Sequence, residues 1–206
     1  MLCVEVTLSF IARSPTMEEY LAQTSIINFH HPAIQAKAAD LRVADDNLKT
    51  AKNCFEFVRD AIKHSWDYRL NPVTCIASDV LAHGTGYCYA KSHLLVALLR
   101  ANAIPAALCY QRLILDETQQ PVTFCLHGLV AVWLDDYGWY RIDPRGNKSG
   151  VDAQFCPPVE QLAFPTIVGG EYDLPERHAE PLPQIVAVLT GYQTVEEVYH
   201  NLPDVE

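Results

Sequence analysis

Apolar and polar positions alternate over residues 4–11, where Val4, Val6, Leu8 and Phe10 are interleaved with Glu5, Thr7 and Ser9. A period of two puts each set on its own face, so this stretch predicts a half-buried β-strand. Ser14-Pro15-Thr16 interrupts it, and residues 17–27 read as a short helix. Asn28-Phe29-His30-His31-Pro32 reads as a loop, because Pro32 disfavours helical backbone at His31, and a helix is expected from about Ala33. Over residues 47–66 the period changes. Leu48, Ala51, Cys54, Phe55, Val58 and Ile62 recur at spacings of three and four, which makes one apolar stripe of a helix. Asn71-Pro72 ends that unit, and Ser78 is placed to cap a brief helical turn through Leu81.

A second helix is expected over 89–101, with Leu94, Leu95, Leu98 and Leu99 in its stripe, Asn102 as its stop and Ile104-Pro105 preventing continuation. His93 reads as lying on the side of this helix away from the core. Arg100 reads as a structural residue that reaches a carboxylate or carbonyl at the helix end. Three strand-like runs follow, 106–115, 125–134 and 139–143, separated by polar turns at 116–121 and 135–138. That order predicts an antiparallel meander. From Gly150 onward the chain carries Pro157, Pro158, Pro165, Pro175, Pro181, Pro183 and Pro203 and is expected to wrap the core, with helical candidates at 184–190 and 194–201. The organisation is read as one domain over 1–206: an N-terminal extension (1–46), a core (47–150) and a proline-rich wrap (151–206).

Composition is that of an ordinary globular protein, with 50% apolar and 19% charged residues. A net charge of −10 repels phosphate backbones, so nucleic acid is not an expected partner. The seven cysteines are odd in number and form no CxxC pair, which points to neither a zinc knuckle nor a thioredoxin-like site. His30-His31 has no third ligand at a known metal spacing and reads as a solvated loop, so no metal and no cofactor are expected. The N-terminal stretch lacks a basic region and carries Glu5, unlike a signal peptide. No apolar run approaches the ~20 residues that span a bilayer. No membrane association and a cytoplasmic location, where free thiols persist, are the expectations.

The candidate chemistry centres on His83-Gly84-Thr85-Gly86-Tyr87-Cys88, a glycine-bearing loop that opens the second helix. Unpaired N–H groups and the positive end of the helix dipole favour a thiolate there. Gly84 and Gly86 would let the backbone turn sharply, and the Cys88 N–H would contribute to an oxyanion hole. The other six cysteines lie in periodic runs or near termini, where a free cysteine is usually a small buried hydrophobe. A cysteine nucleophile needs a base, and the base needs an orienting group. His127 opens an otherwise apolar run and Asp143 ends the next one, 16 residues on. A hairpin centred on Asp135, with an odd loop of three or five residues, would set 127 directly opposite 143, whereas a two-residue turn would put them on opposite faces. His83, Gly86, Tyr87 and Tyr89 flank the cysteine and are candidate cleft residues.

The segment GTGYCYAKSHLLVALLRANAIPAALCY resembles the nucleophile segment of the transglutaminase-like superfamily, in Gly86, Cys88, the leucine-rich helix, Arg100 and Ala103-Ile104-Pro105-Ala106. HGLVAVWLDDYGWYRIDP resembles that family's histidine and aspartate strands, including Trp139 and Asp143-Pro144. The resemblance covers residues 47–147 and implies an α+β, papain/transglutaminase-like core with the catalytic helix packed on an antiparallel sheet. It also implies a Cys88–His127–Asp143 triad. The tryptophan that follows the nucleophile in animal crosslinking enzymes is Tyr89 here, and the aromatic that many members carry two residues after the histidine is Leu129. Calcium is not implied. The expected activity is that of a cysteine-dependent hydrolase or acyltransferase (protease/amidase- or transglutaminase-like). It would act on an amide, ester or thioester carbonyl of a peptide, protein or small acyl substrate through a thioester on Cys88. The alternative expectation is a catalytically silent binding module that keeps the fold.

Overall fold

The computed structural model describes residues 15–116, 118 and 120–205. The strand expected over 4–11 lies outside them. Residues 17–27 hold only a 3-10 turn at Glu19–Leu21 instead of a helix. The Thr24 hydroxyl accepts the N–H groups of Ile26 and Ile27, a local alternative to helical bonding. Helix α1, Pro32–Leu41, begins with proline in its first turn, and His31 caps it by accepting the Ala33 N–H. Helix α2, Asn47–Ala61, is capped by Asp46 and buries Ala51, Cys54, Phe55 and Val58 along its stripe. It stops short of 66 because Lys63–His64 leaves as strand β1, which pairs in parallel with β2, Thr85–Gly86. Between them lie α3, Ser65–Tyr68, and α4, Ala77–His83. The cap of α4 comes from elsewhere in the chain: the Asn28 side chain accepts the Ser78 N–H, so Ser78 is inside the helix and not its cap.

Helix α5, Cys88–Ala101, runs through the middle of the molecule, and every residue from Cys88 to Arg100 is buried. His93 is therefore not on an outer face: its Nδ1 lies 2.8 Å from the Cys75 carbonyl. Arg100 donates to the carbonyls of Ala22, Ala106 and Ala179, which ties both flanking segments to the helix end.

Strands β3, Ala106–Asp116, β4, Thr123–Leu134, and β5, Gly138–Ile142, form the antiparallel meander. A small hairpin follows, β6 (Gln154–Cys156) with β7 (Val159–Gln161), and then β8, Tyr172–Asp173, which completes a sheet of order β5-β4-β3-β8. Helices α6, Pro183–Gly191, and α7, Val195–Tyr199, close the chain, the latter with a Thr194–Glu197 capping box. Alternation along the strands puts Leu108, Tyr110, Val130 and Val132 in the main core with α5, and Ala107, Cys109, Leu129 and Ala131 in a second cluster with Tyr20 and Trp139.

The β4–β5 turn is the three-residue loop 135–137, with Leu134 paired to Gly138 and Gly138 at φ +72°. Its centre is Asp136, one position beyond the expected Asp135. Val130 thus faces Ile142, and Asp143 falls diagonal to His127 instead of directly opposite. The parity of an odd loop still keeps 127 and 143 on one face.

Candidate active site

Three elements converge at the N-terminus of α5. β5 covers β4 only over residues 130–134, which leaves the edge near His127 open to the first turn of the helix. Tyr89 docks there, its hydroxyl donating to the Leu126 carbonyl. The approach is close enough to require Gly128, where a Cβ would stand 2.9 Å from Tyr89 Cδ1 and 3.2 Å from Tyr89 Cα. In this way a glycine beside His127, read from sequence only as part of an apolar run, sets the spacing between the strand and the Cys88 helix.

The Nε2–H of His127 donates to Asp143 Oδ2 at 2.7 Å, and the ring shares the cleft with the Cys88 sulfur, close enough for the two to interact electrostatically. Asp143 is fully buried and accepts two more donors, the Arg145 N–H at 3.1 Å and the Ala163 N–H at 3.2 Å. Burial opposes charge on both groups. For His127 the Asp143 carboxylate and the Cys88 sulfur outweigh burial and hold the pKa at about 10. For Asp143 burial is likewise outweighed, by His127 and the backbone donors, so its pKa stays below the usual carboxylate value. For other thiols burial prevails over their neighbours: it pushes Cys54, Cys109 and Cys125 up to about 12.

Cys88 and His127 are 7% and 5% exposed at the floor of a cleft of about 350 Å3. Tyr87 and Tyr89 line it, while two other candidates do not. His83 is exposed at the end of α4, away from the cleft. Gly86 is buried beneath the loop, where a Cβ would meet Ala90 at 3.0 Å and Thr74 at 3.2 Å, so it serves packing. The positive φ of the loop belongs to Gly84 alone, at +64°. As the first helical residue, Cys88 has an N–H with no acceptor inside α5.

Several cleft residues carried no sequence signal. His64 and Trp66 reach the cleft because β1 pairs beside Gly86. Phe164 packs edge-on against His127, ring centroids 5.1 Å apart, and Arg145 lies over Phe164 while binding Asp67 through two hydrogen bonds. Tyr199 stacks on Trp66 at 3.6 Å, and Leu202 adds to the same wall. The Leu126 N–H donates to the Pro203 carbonyl, so the segment after α7 clamps the strand next to His127.

A cysteine at the start of a central helix, facing a histidine–aspartate pair on an antiparallel sheet, defines an α+β protein of papain-like architecture. The model of the transglutaminase-like superfamily matches residues 35–144, and the chain belongs to that superfamily. No curated protein matches it. Among solved structures the chain is similar to a candidate cysteine protease from Cytophaga hutchinsonii, at 17% identity and TM-score 0.48, over 68% of this chain and 45% of that one. It is similar to the periplasmic domain of TgpA from Pseudomonas aeruginosa, at 19% identity and TM-score 0.47, over 62% and 46%. It is also similar to red sea bream transglutaminase, at 15% identity and TM-score 0.39, over 62% and 25%. The chain spans less than half the length of each of these.

Proposed function

We propose that the protein is a cysteine-dependent hydrolase or acyltransferase acting on an amide, ester or thioester carbonyl, with Cys88 as nucleophile, His127 as acid and base, and Asp143 as the orienting group. The observation that carries this reading is the position of His127, bonded to Asp143 at 2.7 Å and sharing one cleft with Cys88 at a helix N-terminus. The Cys88 sulfur attacks the carbonyl carbon, and the carbonyl oxygen becomes an oxyanion near the free Cys88 N–H. The carbon–heteroatom bond then breaks, the leaving group takes a proton from His127, and a thioester remains on Sγ. Water or an amine attacks the thioester, gives its proton to His127, and restores the thiolate–imidazolium pair. Asp143 holds the ring and its charge throughout. The mainly apolar cleft suits a peptide or a small acyl group. Incubation with p-nitrophenyl acetate and intact-mass measurement tests this. A single acetyl adduct on Cys88, absent in Cys88→Ala, is expected. Turnover undiminished in Cys88→Ala would overturn the assignment.

A further inference from the structure

A second cavity, of about 360 Å3, lies behind the cleft, bounded by the end of α2, β1, α3 and the turn after β5. Its walls carry five cationic side chains, Arg59, Lys63, Lys91, Arg145 and Lys148, against two carboxylates, Asp60 and Asp67. The whole chain has a net charge of −10, so this surplus of positive charge is concentrated in one concavity of an otherwise acidic molecule. Ion pairing absorbs part of it. Arg59 holds Asp60 at 2.7 Å, and Arg145 and Lys148 share Asp67 at 2.7 Å each. Among the described residues, no carboxylate lies within ion-pair distance of Lys63 or Lys91: Lys63 sits over the Tyr68 ring, and the Lys91 ammonium donates to the carbonyls of Ile62 and Arg59.

Two buried groups point the same way. Lys91 is fully buried on the floor of the cavity, and burial lowers its pKa to about 7. The Asp143, Asp60 and Asp67 carboxylates offset that burial only in part, and a further anion would add to them. His64 is buried as well, and its Nδ1 has no hydrogen-bond partner among the described residues. That nitrogen is 3.7 Å from Asp67, a residue of the cavity wall. A buried polar atom left without a partner is costly and calls for an explanation.

We propose that this cavity is an anion-binding site for one compact phosphate-class group, distinct from the thiol cleft. A tetrahedral dianion matches a surplus of more than one charge delivered from several directions by lysine and arginine. A long polyanion is disfavoured by the net charge of −10 on the whole chain. His64 and Arg145 line both this cavity and the cleft, so the occupant sits one side chain away from the Cys88 site. The proposal does not depend on the chemistry assigned to Cys88.

The test is calorimetry and thermal unfolding of the full chain with inorganic phosphate, at ionic strength held constant with sodium chloride. One saturable site and a phosphate-dependent rise in Tm of several degrees are expected. Lys63→Gln, a change at an exposed side chain that folding tolerates, weakens binding about tenfold. Lys52→Gln, on α2 outside the cavity, leaves binding unchanged. Tighter binding of glycerol 2-phosphate than of phosphate would assign the site to a group carried on a larger molecule, and the reverse order to the free ion. Absence of saturable binding at about 10 mM phosphate, or equal losses in Lys63→Gln and Lys52→Gln, would overturn the proposal.

Discussion

Cys88 differs from Cys54, Cys75 and Cys109 in its neighbours more than in its exposure, since all four are buried. His127 shares its cleft and interacts with it electrostatically, and Cys88 stands at the start of a helix, where N–H groups have no intrahelical acceptor. Asp143 is the residue on which that arrangement depends, because it satisfies His127, Arg145 and Ala163 together from full burial. Asp143→Ala leaves a buried imidazole and two backbone donors without their acceptor. We expect it to cost about 3 kcal/mol of stability, read by denaturant unfolding. It should also slow alkylation of Cys88 by about tenfold or more, because an unpaired His127 no longer stays charged. Unchanged alkylation would remove Asp143 from the site. At this scale the sequence was legible where chemistry and local backbone coincide. Two glycines before a cysteine and the even spacing of His127 and Asp143 could be read directly. His64, Asp67 and Arg145 could not, because their meeting depends on β1 pairing with a strand some twenty residues away.

The first turn of α5 and the open edge of β4 meet at Gly128, and the site geometry rests on that contact. A Cβ at 128 strikes the Tyr89 ring and also lies 3.3 Å from the Tyr89 backbone nitrogen, so the side chain alone cannot yield. Gly128→Ala is therefore expected to cost about 1–3 kcal/mol by overpacking and to reduce Cys88 reactivity by moving the helix start relative to His127. Thermal unfolding together with a single-turnover alkylation rate checks both; a variant with native stability and rate would show that the contact is slack. The long elements were legible from period: α2 and α5 from spacings of three and four, β3 to β5 from apolar runs between polar turns. Misreadings arose where distant partners decide. Chain pairing at His64 stops α2 early, Asn28 supplies the cap of α4, and α5 is enclosed on all sides, which takes His93 inside.

Across the whole molecule the buried ionisable groups set an asymmetric dependence of stability on pH. His64 and His93 are held neutral by burial, His93 with a pKa of about 4, whereas the unfolded chain protonates its histidines near 6.5. Below pH 6.5 the unfolded state binds more protons, so stability falls as pH falls. Asp67, held near 2 because its cationic neighbours outweigh burial, and Asp143 lose their contribution at still lower pH, in the same direction. On the alkaline side His127, raised to about 10, loses its stabilising charge as pH rises, while Lys91, lowered to about 7, becomes less costly over nearly the same range. The two oppose each other. Tm should therefore be nearly flat from about pH 7 to 8.5 and decline steeply from about 6.5 towards 4, a profile that differential scanning calorimetry reads directly. A profile symmetric about neutrality would contradict these assignments. The claim that one thiol in this chain is activated is tested most directly by letting all seven cysteines compete for a limiting thiol-directed electrophile near pH 6, with the modified residue located by mass spectrometry. Cys156 is exposed and Cys88 is only 7% exposed, so access and activation rank them oppositely. The account predicts that Cys88 is modified first and that this preference disappears in His127→Ala; modification of Cys156 ahead of Cys88 in the native chain would contradict it.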